Sequence, residues 1–516
     1  METRDSLKSF ETEVRTQAGR VRGRQEGGLA VFRGIPFAEP PVGDARFQAP
    51  RTVRGWDGIR EAFSFGPPPP QDPTMPMVAA PPDSPTGDDW LTVNVWTPDV
   101  DPAARRPVMV WIYGGAFKVG SANLPVYDGS HLARDGDLVV VTFNYRVGVE
   151  GFSYIEGAPA NRGLLDQVAA LEWVRDNIVA FGGDPDQVTV FGESAGAGSV
   201  AALLAMPRAT GLFRRAIAQS VPSVLLTTEL ARDMATTIAD GLGLRPTVAD
   251  LSTVDPGRLR DAGTAVSTNT ARFADRWGQA AHAGGFAAVV DGEVLPTTPW
   301  EALAGGAGRE VELIVGHNRD EVRVFLALDG RLGTIGDDDA AGMLRALGPG
   351  PDSERAYRTA FPEASSEKLY ELVQSDWLFR MPSLHLAEAQ VAGGGRAHMY
   401  ELPWPAPVHG GLLGACHGLD MPLVFGTLDT AFAKTLLGPE PSPDAQALSH
   451  QFMTSWTAFA ATGDPGWPAY DPQQRLVRIF DTNPAVTPYP GEASRRVWQN
   501  HTFSALPLLI SSKPQG

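Results

Sequence analysis

Residues 192–196 read Gly-Glu-Ser-Ala-Gly, between the apolar run VTVF (188–191) and the alanine-rich stretch GSVAALLAM (198–206). A serine hydroxyl is a weak nucleophile. It attacks a carbonyl only when a base accepts its proton, a third group orients that base, and hydrogen-bond donors receive the developing oxyanion. The spacing Gly-x-Ser-x-Gly addresses the first requirement, because a sharp turn from strand to helix lifts a serine clear of a sheet and the flanking glycines leave room for that turn. Ser194 is thus a candidate nucleophile for acyl transfer, provided that a strand precedes it and a helix follows.

In folds that present a serine this way, the acid and then the histidine come later in the chain. Of the nine histidines, only His131 precedes Ser194. His409 and His417 share the glycine-rich segment after AHMYEL (397–402), and position alone leaves them as rivals. For the acid, ELIVGHNRDEV (312–322) places Asp320 and Glu321 just beyond an apolar run; either could serve, and either could be an ordinary solvated carboxylate. Gly114, Gly115 and Ala116 follow the run VMVWIY (108–113). A turn there would bring backbone N–H groups close to a ligand, and the N–H of Ala195 would complete an oxyanion hole. Phe117, Trp377 and Phe379 could line an acyl or alcohol pocket, although an aromatic residue is more often core. Glu193 could be an acid favoured by the positive end of a helix dipole.

The positioning elements are legible from periodicity. LTVNVW (91–96), PVMVWIY (107–113), LVVVTFNY (138–145) and VELIVG (311–316) read as strands, with AHMYEL as the last strand of the sheet. In GLLDQVAALEWVRDNIVAFGG (163–183) the apolar residues recur at three and four, which predicts a helix closed by glycine. Strands alternating with such helices predict an α/β protein with a large, mostly parallel sheet flanked by helices. We read residues 1–516 as one unit, with short hairpins at its start, a proline-rich surface loop at 66–85, and helical insertions at about 223–285 and 337–395.

Composition removes several function classes. The net charge is −17 and no run of Lys and Arg stands out, which argues against nucleic acid. No apolar stretch reaches the roughly 20 residues of a membrane span. Cys416 is the only cysteine, so neither an intrachain disulfide nor a thiolate zinc site is expected. With the polar opening METRDSLKSFETEVRTQ, this suggests a cytoplasmic protein.

The segments FRGIPFAEPPVGDARF (32–47), WIYGGAF (111–117), NYRVGVEGF (144–152), VTVFGESAGAGS (188–199), GHNRDEV (316–322) and GACHGLDMPLVFG (414–426) are also present, in this order. Together they resemble the type-B carboxylesterases, the family of bacterial para-nitrobenzyl esterases and cholinesterases, nearly end to end. The resemblance implies an α/β-hydrolase fold and a serine carboxylesterase. Its triad would be Ser194, Glu321 and His417, with oxyanion donors from Gly115, Ala116 and Ala195, and with Glu193 a partly buried carboxylate near the histidine. It implies no metal or organic cofactor. The substrates would be small-to-medium esters; the alternatives are carbamates, thioesters or longer lipids under the same mechanism, or a non-catalytic binding protein of the same fold.

The chain also departs from that pattern. Ala116, Val221 and Val322 stand where glycine is usual, and Pro69 and Trp90 where secreted members carry a cysteine pair. An alanine at 116 removes no donor unless the position needs a positive φ. With an ordinary imidazole as base, the acid limb of activity is expected at about pH 6 to 7. His417→Ala is expected to abolish hydrolysis of p-nitrophenyl acetate, and His409→Ala to leave most of it. The opposite pattern would exchange the two histidines.

Overall fold

The computed structural model describes residues 11–72, 75 and 80–509. Among the described residues fifteen strands form: β1 (Glu11–Arg15), β2 (Arg20–Glu26), β3 (Leu29–Pro36), β4 (Ile59–Glu61), β5 (Thr92–Thr97), β6 (Arg106–Ile112), β7 (Val139–Phe143), β8 (Gly183–Glu193), β9 (Arg215–Gln219), β10 (Leu225–Thr227), β11 (Ala288–Val290), β12 (Glu312–Asn318), β13 (Arg396–Leu402), β14 (Leu476–Ile479) and β15 (Ala485–Pro488). Thirteen make one sheet in the order β1-β2-β3-β5-β7-β6-β8-β9-β12-β13-β14-β15, with β4 beside β2. From β7 to β14 every neighbouring pair is parallel, while β1, β2, β3, β5 and β15 join antiparallel. The side chains of β7 and β9 are buried throughout, as expected for strands covered on both faces.

AHMYEL is not the last strand. β14 and β15 extend the sheet beyond it, and the reason they escape a sequence reading is physical. They are four-residue strands at the sheet's end, β15 the edge strand itself, with Arg478 and Pro488 interrupting any apolar pattern. A second pair, β10 and β11, is parallel and separate from the main sheet, so the stretch from 223 is not wholly helical. Part of the proline-rich segment, residues 73, 74 and 76–79, lies outside the described residues. Gln71 fastens the part before it to the turn after β6: its amide donates to the carbonyls of Pro69 and Gly120, and its Oε1 accepts from the Gly120 N–H.

Two helices matter for the site. α1 (Arg162–Asn177) packs its apolar stripe inward and runs into a tight turn that Gly182 ends at φ 81. α2 (Ala195–Ala205) follows β8 directly; its small residues let it lie close to the sheet, with Ser199 accepting from the Gln167 amide of α1 at 3.0 Å. Among the described residues, no helix is long and apolar enough to cross a membrane.

A buried ion pair holds the segment that follows β7. Arg146 and Asp166 have no solvent exposure and join by a fork at 2.8 Å, while the Arg146 N–H also donates to Asp166. Two residues on, the Gly148 N–H donates to the Phe117 carbonyl at 2.7 Å, so the pair fixes the underside of the turn after β6. Removing one member of a buried pair strands the other's charge. Asp166→Ala is expected to destabilise the protein by about 3 to 5 kcal/mol, and Glu354→Ala, on an exposed pair with Arg345, by about 1 kcal/mol at most. Urea unfolding midpoints would compare the two, and equal shifts would count against this role for Asp166.

Candidate active site

Ser194 sits at the junction of β8 and α2 with φ 57 and ψ −124. A non-glycine residue in such a region costs about 1 to 3 kcal/mol and persists only where its surroundings impose it. The neighbouring glycines show how. A Cβ on Gly196 would collide with the Ile112 carbonyl, and one on Gly192 would lie 2.7 Å from the Gly196 carbonyl carbon. Only glycines let the end of β8, the start of α2 and the end of β6 come this close.

The turn after β6 presses against the serine. A Cβ on Gly114 would stand 3.0 Å from the Ser194 Cβ. Gly115, Ala116 and Phe117 all have positive φ, at 113°, 54° and 59°. Position 116 is therefore one where the missing glycine matters, and the turn carries strain at both Ala116 and Phe117. Two tyrosines lock it. The Tyr145 hydroxyl donates to the Tyr113 carbonyl at 2.6 Å, the Tyr113 hydroxyl to the Tyr145 carbonyl at 3.1 Å, and the rings stack at 4.4 Å. Among the described residues, the backbone N–H groups of Gly115, Ala116 and Ala195 have no acceptor within the chain. Gly115 and Ala116 are half-buried and Ala195 is buried.

Glu321 lies three residues beyond β12 and has no solvent exposure. One oxygen meets His417 Nδ1 at 2.6 Å; the other accepts from the Ser220 hydroxyl at 2.6 Å and the Asn318 N–H at 2.8 Å. The two loops are also sewn together through the backbone. The His417 N–H donates to the Glu321 carbonyl, the Asp320 N–H to the Ala415 carbonyl, and the Asn318 side chain to the Cys416 carbonyl. Asp320 faces away from the imidazole. It accepts from the Ala415 N–H and pairs with Lys368 at 3.0 Å, so it ties the histidine loop in place.

His409 is exposed, at the tip of its loop with φ 52. Phe117 is buried and its ring tilts against Phe152 at 4.6 Å. Trp377 is part of the main hydrophobic core. Phe379 lies flat on the His417 ring. Cys416 is fully buried, and burial pushes its thiol up to about 12, which leaves no thiolate to act as nucleophile.

Glu193 is the last residue of β8, 2% exposed, with Oε1 3.1 Å from His417 Nε2. Burial raises its carboxyl to about 8, against the pull of the nearby imidazole. Burial alone would lower His417, but the charges of Glu193 and Glu321 more than reverse that and hold it up to about 9. The acid limb expected for an ordinary imidazole therefore moves upward.

Three participants were not singled out by the sequence reading. Ser220 adopts φ 61 directly after β9. Asn318 closes β12. Asp420, fully buried one helical turn after His417, accepts from Gln219 at 2.7 Å and Tyr400 at 3.2 Å. The available signal for Asp420 was a lone charge in the apolar run LDMPLVF (419–425). Val221 and Val322 each donate a backbone N–H to a serine hydroxyl, of Ser383 and Ser375. The Val322 side chain packs with Leu326, Ala340 and Tyr370.

With this geometry in place, the comparisons with known proteins bear on residues across the whole chain. Residues 11–498 match the model of the carboxylesterase family. The chain belongs to that family. It is 37% identical to the para-nitrobenzyl esterase of Bacillus subtilis, over 94% of this chain and 97% of that one. It is 36% identical to the phenmedipham hydrolase of Pseudarthrobacter oxydans, over 88% and 92%. The crystal structure of a Geobacillus stearothermophilus carboxylesterase superposes with a TM-score of 0.83 at 36% identity, covering 95% of this chain and all of that one. The fold is that of the α/β-hydrolases, a large mostly parallel sheet flanked by helices.

With His417 as the base, only its neutral imidazole could take a proton from Ser194, so activity is expected to fall as pH drops through the His417 pKa. The limb is expected above about pH 7, displaced from the ordinary imidazole value. Glu193→Gln removes one of the two raising charges and is expected to move the limb toward lower pH. A kcat/KM profile with the same limb in both proteins would contradict this electrostatic account.

Proposed function

We propose that this carboxylesterase hydrolyses small-to-medium carboxylic esters through Ser194, His417 and Glu321. The reading rests chiefly on the buried Glu321, whose Oε2 lies 2.6 Å from His417 Nδ1 and so reserves Nε2, which lies 3.1 Å from Glu193, as the atom that works as the base. Three further features support it: the strained serine at the end of β8, the unpaired N–H groups beside it, and esterase relatives that match over most of their length.

The chemistry runs in two halves. Ser194 Oγ attacks the ester carbonyl carbon as His417 Nε2 takes its proton, and the carbonyl oxygen becomes an oxyanion held by the N–H groups of Gly115, Ala116 and Ala195. Collapse breaks the bond to the alcohol oxygen, which leaves with the proton from Nε2. Water then attacks the acyl-serine, giving its proton to Nε2, and the acid is released with Ser194 regenerated. Glu321 fixes the imidazole through Nδ1–H and stabilises the imidazolium, while Ser220 and Asn318 hold the carboxylate in place.

The donors must meet the oxyanion rather than the ground-state carbonyl. A single donor of this kind is typically responsible for about 10²- to 10³-fold in rate. Glu193 adds a second acidic partner on the Nε2 side of the ring, where it competes with the serine for the imidazole proton. We place the protein in the cytoplasm, an inference supported by its single cysteine.

The deciding experiment is turnover of p-nitrophenyl esters from acetate to laurate by the wild type and Ser194→Ala. Turnover that peaks at short acyl chains and disappears in the variant is expected. Folded wild-type protein without activity on any member of the series would overturn the assignment, and a peak at laurate would move the substrate class to longer lipids.

A further inference from the structure

The base is gripped by an aromatic ring that belongs to neither the acid loop nor its own. Phe379 stacks on the His417 imidazole with centroids 4.2 Å apart and planes at 23°, while Phe325 approaches the same ring at 5.3 Å and 49°. Phe379 is carried by an irregular stretch. Helix α3 (Ser366–Ser375) runs into a single π-helical turn, Asp376–Arg380, which continues as α4 (Met381–Ala392).

The sequence explains why the helix loosens there. Pro382 has no N–H to offer the carbonyl four residues before it, and its ring crowds that carbonyl. The residue in question is Leu378. Its carbonyl turns outward and accepts instead from the Ser223 N–H at 2.9 Å. A π turn of this kind admits an extra residue and redirects the side chains that leave it.

The turn is rigidly held. Arg380 pairs with the fully buried Asp376 at 3.0 Å, Asp376 accepts from the Tyr357 hydroxyl at 2.9 Å, and that hydroxyl accepts from the Trp498 indole at 2.6 Å. It is also tied to the acid from both sides. Ser375, just before the turn, accepts from the N–H of Val322, the residue after Glu321. Ser383, just after it, accepts from the N–H of Val221, beside the Ser220 that donates to Glu321. The same rigid unit thus sets both the carboxylate at the edge of the imidazole and the ring on its face.

We propose that Phe379 is a positioning residue for the catalytic base. Glu321 at Nδ1 and Glu193 at Nε2 hold the imidazole along one line, about which the ring can still tip; a stacked ring prevents tipping while permitting pivoting within the plane. In-plane pivoting is the motion that would release Nε2 from Glu193 for proton transfer. The aromatic face also favours the imidazolium formed when Ser194 is deprotonated. The inference rests on His417 being the base, and inactivity of His417→Ala tests that separately.

Phe379→Leu keeps an apolar side chain and removes the stacking. It is expected to lower kcat about 10- to 100-fold, the scale of a small misplacement of a reacting group, with KM changed by less than about threefold. The fall should be uniform from acetate to laurate, and the acid limb should move to lower pH as the imidazolium loses its support. Phe379→Tyr should restore most of the rate. A changed chain-length preference with an unmoved limb would make Phe379 a pocket wall and overturn the proposal. Should the leucine variant fail to fold, wild-type protein with ring-labelled histidine decides. The His417 carbon-bound ring proton is expected upfield under the stacked ring, and a shift equal to that of exposed His409 would overturn the proposal.

Discussion

A carboxylate with no access to water must have its charge answered by fixed donors, and Glu321 organises the top of the sheet around that requirement. Its three partners come from three separate segments: Ser220 after β9, Asn318 at the end of β12, and His417 in the loop that follows β13. Because β6, β8, β9, β12 and β13 are consecutive and parallel, their carboxyl ends open on the same edge. The turn after β6, Ser194 and the three donors to Glu321 are therefore neighbours through strand order alone, as expected where a parallel sheet presents a site at its carboxyl edge. Loss of any one of these contacts would leave charge uncompensated in a region that has no solvent to replace it.

Around that charge the backbone is held in conformations it would not choose. Ser194, Ser220, Ala116 and Phe117 all lie at positive φ without being glycine. Each is opposed by something local: the glycine contacts beneath Ser194, the hydrogen bond from Ser220 to Glu321, and the reciprocal tyrosine bonds under the turn after β6. The strain is concentrated where the chemistry needs exposed backbone donors and a raised hydroxyl, and the large buried core supplies the stability that tolerates it.

How much of this was legible depended on whether the signal was local. Ser194 announces itself because the steric demands of its turn are met by residues two positions away. The long strands of the sheet centre read clearly, since burial on both faces forces continuous apolar runs, whereas β14 and β15 lie at an edge and carry no such pattern. The contest between His409 and His417 could not be settled by periodicity. It turned on a contact across 96 residues, and only family resemblance pointed to it beforehand. Ser220 and Asp420 escaped because a buried polar residue betrays itself through distant partners. The upward shift of His417 escaped for the same reason: it depends on two carboxylates meeting one ring, and Glu193 stands far from the histidine in sequence.

The single cysteine has a practical consequence. Cys416 is sealed beneath the histidine loop with its thiol held almost entirely in the protonated form at neutral pH. The native chain therefore behaves toward maleimides and disulfide reagents much like a cysteine-free protein. A cysteine introduced on the exposed tip of the loop around His409, or along the edge strand β15, would be the one reactive thiol in the molecule. A spectroscopic label could be installed there without first removing the residue that precedes His417.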